Sequence, residues 1–280
     1  MGRMKSLPLA ATLALLLGAC NLPGGGSGGV SLSGEESKPV DQIIADAQKD
    51  MGGFKTVHLI FNTTTRDAGA ITFDISADES GNVAGSGATG DAKFDIVVVD
   101  GHTYIKGQAF WAKVFSNGTV ADPTVQQLIQ AKIGDHWVAG LDSVGDAAAR
   151  NSLSPAVLAD CLSIHGALST AGTQTINGRK AVEIKDKGDS PGGRAGSRFI
   201  AVDSPHVLLR LIANGPTTAG STPSNGKCKG SATPAPAPAP SGTPSSDLGA
   251  VTIDYSDYGK SVSVVKPTDT VDLTRLFATP

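Results

Sequence analysis

Three cysteines and five histidines are the side chains of this chain best suited to nucleophilic or metal chemistry. The histidines, His58, His102, His136, His165 and His206, fall singly. No His-x-x-x-His or Glu-x-x-His spacing occurs, so neither a metal site nor any other cofactor is expected. Serine, histidine and aspartate are all available for a triad. Yet no Gly-x-Ser-x-Gly elbow places a serine on a strand-to-helix turn, and no catalytic residue is nominated. Gly85-Ser86-Gly87-Ala88-Thr89-Gly90 fits a dinucleotide fingerprint by letter, but strand-like Phe94–Val99 follows it. A pyrophosphate needs a helix N-terminus there, so the stretch reads as a glycine-rich strand or turn.

Cys20 stands apart. Arg3 and Lys5 precede an apolar run from Leu7 to Leu17, which is too short to span a bilayer as a mature helix. Small Gly18 and Ala19 then lead directly into the cysteine. Leu17-Gly18-Ala19-Cys20 resembles the lipobox of bacterial lipoproteins, in which the thiol receives a diacylglyceryl group and the leader is cut before it. The rival reading is an ordinary secretory leader with an incidental cysteine. On the lipobox reading, residues 1–19 are a signal peptide and Cys20 is the lipid-attachment residue. The mature chain is then held at the cell membrane on its extracytoplasmic side.

Cys161 and Cys228 remain as an even pair in an oxidising compartment. A bridge between them would close a long loop and stabilise the fold by about 4 kcal/mol on the chain-entropy model. The alternative is two separate thiols, one in a helix core and one in a loop. Charge is close to balance, with 23 basic and 26 acidic side chains. Phosphate binding requires a concentrated basic face, so nucleic acid is excluded as a partner.

The elements that would position any site follow from periodicity. Residues 20–37 are rich in Gly and Ser and read as a flexible tether. Residues 38–280 form one domain, interrupted by a Pro/Ala-rich loop at 215–247 in which Pro234, Pro236, Pro238 and Pro240 alternate with alanine. Val40, Ile43, Ile44, Ala47 and Met51 make one apolar stripe, so the first element is a helix over Pro39–Met51. The period then drops to two. Val57, Leu59 and Phe61, then Ile71, Phe73, Ile75 and Ala77, then Ala92, Phe94, Ile96 and Val98 each alternate with other residues along half-buried strands. Asp100-Gly101 turns the chain into a further strand at His102–Lys106. Helices headed by Asp122-Pro123 and Ser154-Pro155 flank a short strand at Trp137–Leu141. Strands return at Thr175–Ile176, Ala181–Lys185, Arg198–Val202, Val207–Ala213, Val251–Tyr255 and Val262–Val264. The class is α+β: a single strongly curved antiparallel sheet, a half-barrel, with helices packed on its concave face.

Three stretches carry a resemblance over most of residues 38–268. They are Val97-Val98-Val99-Asp100-Gly101-His102-Thr103-Tyr104-Ile105-Lys106, Thr175-Ile176-Asn177-Gly178-Arg179-Lys180-Ala181-Val182-Glu183-Ile184, and Ile253-Asp254-Tyr255-Ser256-Asp257-Tyr258-Gly259-Lys260-Ser261-Val262. Together they resemble the LppX/LprG-type cell-envelope lipoproteins of mycobacteria, which share a LolA-like half-barrel fold. The resemblance implies a bent sheet wrapped around helices, an apolar cavity, and an acylated lipid or glycolipid as ligand. This chain departs from the family in its Pro/Ala insertion and its Cys161 and Cys228 pair.

Phe61, Phe73, Ile75, Phe94, Ile96 and Val98 are the candidate cavity wall, with plain core packing as the competing role for each. An acyl chain in such a place gains about 0.8 kcal/mol for every CH₂ removed from water. The expected function is therefore a non-enzymatic, membrane-anchored lipoprotein, acting as a monomer, that binds or transfers an acyl lipid or glycolipid. The alternative is an envelope scaffold with a filled core that captures a protein or polysaccharide through the 215–247 loop.

Overall fold

A computed structural model of the chain describes residues 34–65, 69–116, 123–140, 153–163, 165–189, 194–214 and 249–273. The first long element is helix α1 (Val40–Met51), with Pro39 at its N-cap and Ile43, Ile44, Ala47 and Met51 buried on one stripe. Strands β1 (Thr56–Thr65) and β2 (Gly69–Asp78) pair antiparallel along their whole length, from Thr56 opposite Asp78 to Thr65 opposite Gly69. Both bury alternate residues, as a sheet with one covered face requires.

β3 (Val83–Thr89), β4 (Ala92–Val99) and β5 (His102–Lys106) continue the meander. The Asp100-Gly101 turn has both residues at positive φ, +54° and +78°. That is the mirror-image turn matching the twist of a tight hairpin, and Asn177-Gly178 repeats it at +50° and +78°.

Helix α2 (Gln108–Phe115) comes next, where the sequence reading placed no element. Phe110, Trp111, Val114 and Phe115 fall at i, i+1, i+4 and i+5 on one helical face, but the run covers less than two turns, too short for its period to stand out along the chain. α3 (Pro123–Lys132), β6 (Trp137–Ala139) and α4 (Pro155–Leu162) complete the helical insert. Ser154 caps α4 as expected, its Oγ accepting the Val157 N–H at 3.4 Å. Asp122 and Leu141 lie outside the described residues.

The second run of strands is β7 (Leu168–Ile176), β8 (Arg179–Asp186), β9 (Ala195–Ala201), β10 (Leu208–Asn214) and β11 (Val251–Ser256). The expected strand at Val262–Val264 does not form. Instead Val264, like Trp137 and Ala139, packs against the cluster of Val97, Val99 and Tyr104 on the outer face of the sheet. The Val97-Val98-Val99 run is apolar on both of its faces, so its outer side needs a cover, and Val264 supplies part of one without joining the ladder. A three-residue strand, β12 (Thr270–Asp272), follows and pairs parallel with β6.

The twelve strands of the described residues belong to one sheet, in the order β12-β6-β5-β4-β3-β2-β1-β11-β10-β9-β8-β7. The chain lays down one meander outward from β1. It then crosses through the insert to the far edge and works back until β11 pairs with β1, with Phe61 opposite Ile253. Among the described residues the result is an open, curled, mostly antiparallel sheet with four α-helices, the α+β half-barrel that the pattern predicts. The buried residues of α1, α2 and α4, with Ile129 of α3, share one apolar cluster with the inner residues of β1, β2, β4, β8, β9 and β11. The helices therefore pack on the concave side.

Candidate functional site

The register of the central strands determines what the concave wall looks like. Phe61 stands opposite Phe73, Phe73 opposite Gly87, and Gly87 opposite Phe94. One row across β1, β2, β3 and β4 thus presents three phenylalanines and one gap. Phe61 and Phe73 lie 5.8 Å apart between ring centroids, Phe73 and Phe94 5.7 Å, and Phe94 and Phe110 of α2 4.5 Å. Trp111 and Phe115 extend the series along α2 at 5.2 and 5.9 Å. Offset and edge-on aromatic pairs of this kind add about 0.5–1.5 kcal/mol each beyond the area they bury.

Gly87 makes the series continuous. A Cβ there would stand 2.5 Å from Phe94 Cζ and 2.9 Å from the Thr72 carbonyl oxygen. Only a residue without a side chain lets the Phe94 ring lie across β3 and meet Phe73 on the far side. The neighbouring row repeats the device, with Gly85 between Ile75 and Ile96. The glycine-rich stretch that imitates a nucleotide motif is therefore a strand thinned to accept large residues from both neighbours.

Phe61, Phe73, Ile75, Phe94, Ile96 and Val98 are all buried and all belong to the one inner apolar cluster. The fold brings them together. The three phenylalanines among them pack into each other's rings, and α2 extends their row with Phe110 and Trp111.

Toward β8 and β9 the inner face turns polar at one point. Arg198 and Asp186 are 3% and 7% exposed and are paired at 3.1 Å. Arg198 also donates to the Leu162 carbonyl at 2.9 Å, which ties the end of α4 to the sheet. Asp186 Oδ1 accepts the N–H groups of Gly166 and Gly188 at 3.0 and 2.9 Å. The pair is thus hydrogen-bonded on several sides, the condition under which buried charges are tolerated. A sequence reading finds no signal for it, because the partners come from separate strands and their alternation looks ordinary.

The outer face holds a further grouping that only the register reveals. His58 Nε2 lies 2.7 Å from Asp74 Oδ1, and His58 Nδ1 lies 3.0 Å from Ser256 Oγ. The residue types are those of a hydrolytic triad, but the surroundings differ. The three residues sit on β1, β2 and β11, neighbouring central strands that are hydrogen-bonded on both sides. Ladder bonding spends the backbone N–H groups that an oxyanion hole requires. The grouping acts as a cross-strand polar clasp.

Cys161 is buried on α4. Cys20 and Cys228 lie outside the described residues. Among the described residues no group of three or more His, Cys, Asp or Glu side chains is placed to hold a metal ion. Among them, too, no helix is long and apolar enough to cross a membrane.

No protein-family model matches the chain, and no curated protein matches it. Among solved structures it is similar to the lipoprotein LppX of Mycobacterium tuberculosis, with 13% identity, a TM-score of 0.43, and coverage of 81% of this chain and 100% of that one. It is similar to LprF from Mycobacterium bovis at 14% identity and a TM-score of 0.49, covering 81% and 95%. A LolA superfamily protein from Nitrosomonas europaea follows at 10% identity and a TM-score of 0.25, covering 82% and 98%.

Proposed function

We propose that this protein is a non-enzymatic lipoprotein that holds an acyl lipid or glycolipid against the concave wall of its sheet. Residues 1–19 act as the leader, Cys20 carries the lipid anchor, and the folded domain works as a monomer at the extracytoplasmic surface of the cell membrane. One observation supports the reading above others. The Phe61–Phe73–Phe94 row and the helix that continues it make a continuous apolar wall on the inner side of the sheet. Acyl chains are bound by burial and need few polar contacts, which suits such a wall.

The test is direct. Protein expressed from residue 21 onward in a lipid-containing host is purified without detergent, extracted, and its lipids weighed by mass spectrometry. A stoichiometric acyl lipid is the expected finding, and Phe94→Ala, which widens the wall, should change the length or number of chains retained. Protein that carries no lipid from the host and takes up none from vesicles would overturn the proposal.

The close packing of Phe94 on Gly87 favours a second reading, a domain whose core is already full. It would serve as an envelope scaffold capturing a protein or polysaccharide through residues 215–247. Deleting that loop should then abolish partner capture, whereas a lipid binder keeps its ligand. A Cys161–Cys228 bridge is proposed on either reading; alkylation before and after reduction should differ by two thiols in protein lacking Cys20.

A further inference from the structure

The described body begins inside the stretch read as tether. Glu35–Ser37 form a 3-10 turn in which Glu35 and Glu36 are buried. Glu36 Oε1 is bonded to Lys180 Nζ at 2.6 Å, at the start of β8 beside the Asn177-Gly178 turn. Glu35 Oε2 lies 2.5 Å from Lys38 Nζ and 3.6 Å from His206 Nε2, in the β9–β10 turn. Lys38 also reaches Asp46 of α1 at 2.6 Å. Alongside, the Asp50 carboxylate accepts the His206 N–H at 2.7 Å, and Arg179 donates to the carbonyls of Asp203 and Pro205. The turn thus meets Lys180 of β8, His206 of the β9–β10 turn and, through Lys38, Asp46 of α1.

We propose that this turn is a clip that fixes where the chain leaves the body, and that it aims one rim of the sheet at the bilayer. The inference rests on the anchored reading of Cys20. The clipped rim carries the β7–β8 and β9–β10 turns. The opposite rim carries the β3–β4 turn at Gly90-Asp91. Ten-residue β1 spans the two, so the rims stand about 30 Å apart. On the Gly/Ser-rich composition that reads as a tether, the fourteen residues from Asn21 to Gly34 have a root-mean-square reach of only about 20 Å. A tether shorter than the body is wide keeps the attachment point nearer the membrane, because the other orientations drive the body into the lipid.

The experiment uses full-length lipidated protein in phosphatidylcholine vesicles containing an acceptor-labelled lipid. A donor dye is carried on an azide-bearing residue in place of exposed Thr175, near the clipped rim, or exposed Asp91, on the other. With the rims about 30 Å apart, transfer from position 175 should exceed that from 91 by about twofold or more. The Glu35→Ala/Glu36→Ala variant should narrow that difference. Equal or reversed transfer in vesicle-bound protein overturns the proposal, as does a difference that survives cutting the clip. Lipidated protein that fails to float with vesicles overturns the anchored reading itself, a result separable from lost orientation.

Discussion

Replacing Gly87 by alanine tests how the inner wall is built. The added methyl would stand 2.5 Å from Phe94 Cζ, 2.9 Å from Cε2, and 2.9 Å from the Thr72 carbonyl oxygen. Carbon atoms rest about 3.5–4.0 Å apart, so the ring must withdraw by about 1 Å. It has little freedom to do so, with Phe110 at 4.5 Å and Phe73 at 5.7 Å between centroids. Forcing one methyl into a packed core costs about 1–3 kcal/mol. Removing the backbone freedom of a strand glycine returns about 0.5–1 kcal/mol. The net expectation is a loss of about 1–2 kcal/mol, or roughly 2–8 °C in melting temperature for a domain of this size.

Urea unfolding followed by circular dichroism measures it as a lower midpoint with an unchanged slope. Phe94→Leu shortens the clashing side chain, so Gly87→Ala should cost less in that background, and the double-mutant cycle reports the coupling. A Gly87→Ala protein as stable as the parent would refute the claim that the ring needs the glycine. The inner wall would then be looser than its register indicates.

Arg198→Met strips Asp186 of its counter-ion and Leu162 of a donor, and is expected to cost about 3–5 kcal/mol, read as a fall in the urea midpoint. Its bond to Lys180, only partly opposed by burial, holds the Glu36 carboxyl below its ordinary value of 4.5. A lowered folded pKa contributes stability above pH 4.5 that is lost as pH falls through the folded value. Stability measured from pH 6 downward should therefore decline less steeply in Glu36→Gln than in the parent. Ser154→Ala removes the cap of α4 and should cost about 1 kcal/mol by the same urea measurement. Tyr258→Phe removes the hydroxyl that donates to the Leu208 carbonyl at 2.8 Å, and should cost about 1 kcal/mol in midpoint stability.

Local chemistry by itself determined α1, the strands with period-two burial, the Asp100-Gly101 and Asn177-Gly178 turns and the Ser154 cap. Each depends on residues within a few positions of one another, so composition and spacing suffice. The inward set of Phe61, Phe73, Ile75, Phe94, Ile96 and Val98 was readable for the same reason: alternation assigns a face before any partner is known. What lies across from each residue is decided only when strands distant in sequence come into register. That is why the glycine gap under Phe94, the buried Arg198–Asp186 pair and the His58–Asp74–Ser256 clasp have no signature along the chain. Tertiary packing likewise recruited Glu35–Ser37 from an apparent tether, because its carboxylates find Lys180 and His206 only once β8 and the β9–β10 turn are in place. It also turned Val264 from an expected strand residue into a cover, since the outer face of β4 and β5 is apolar and must be shielded from water.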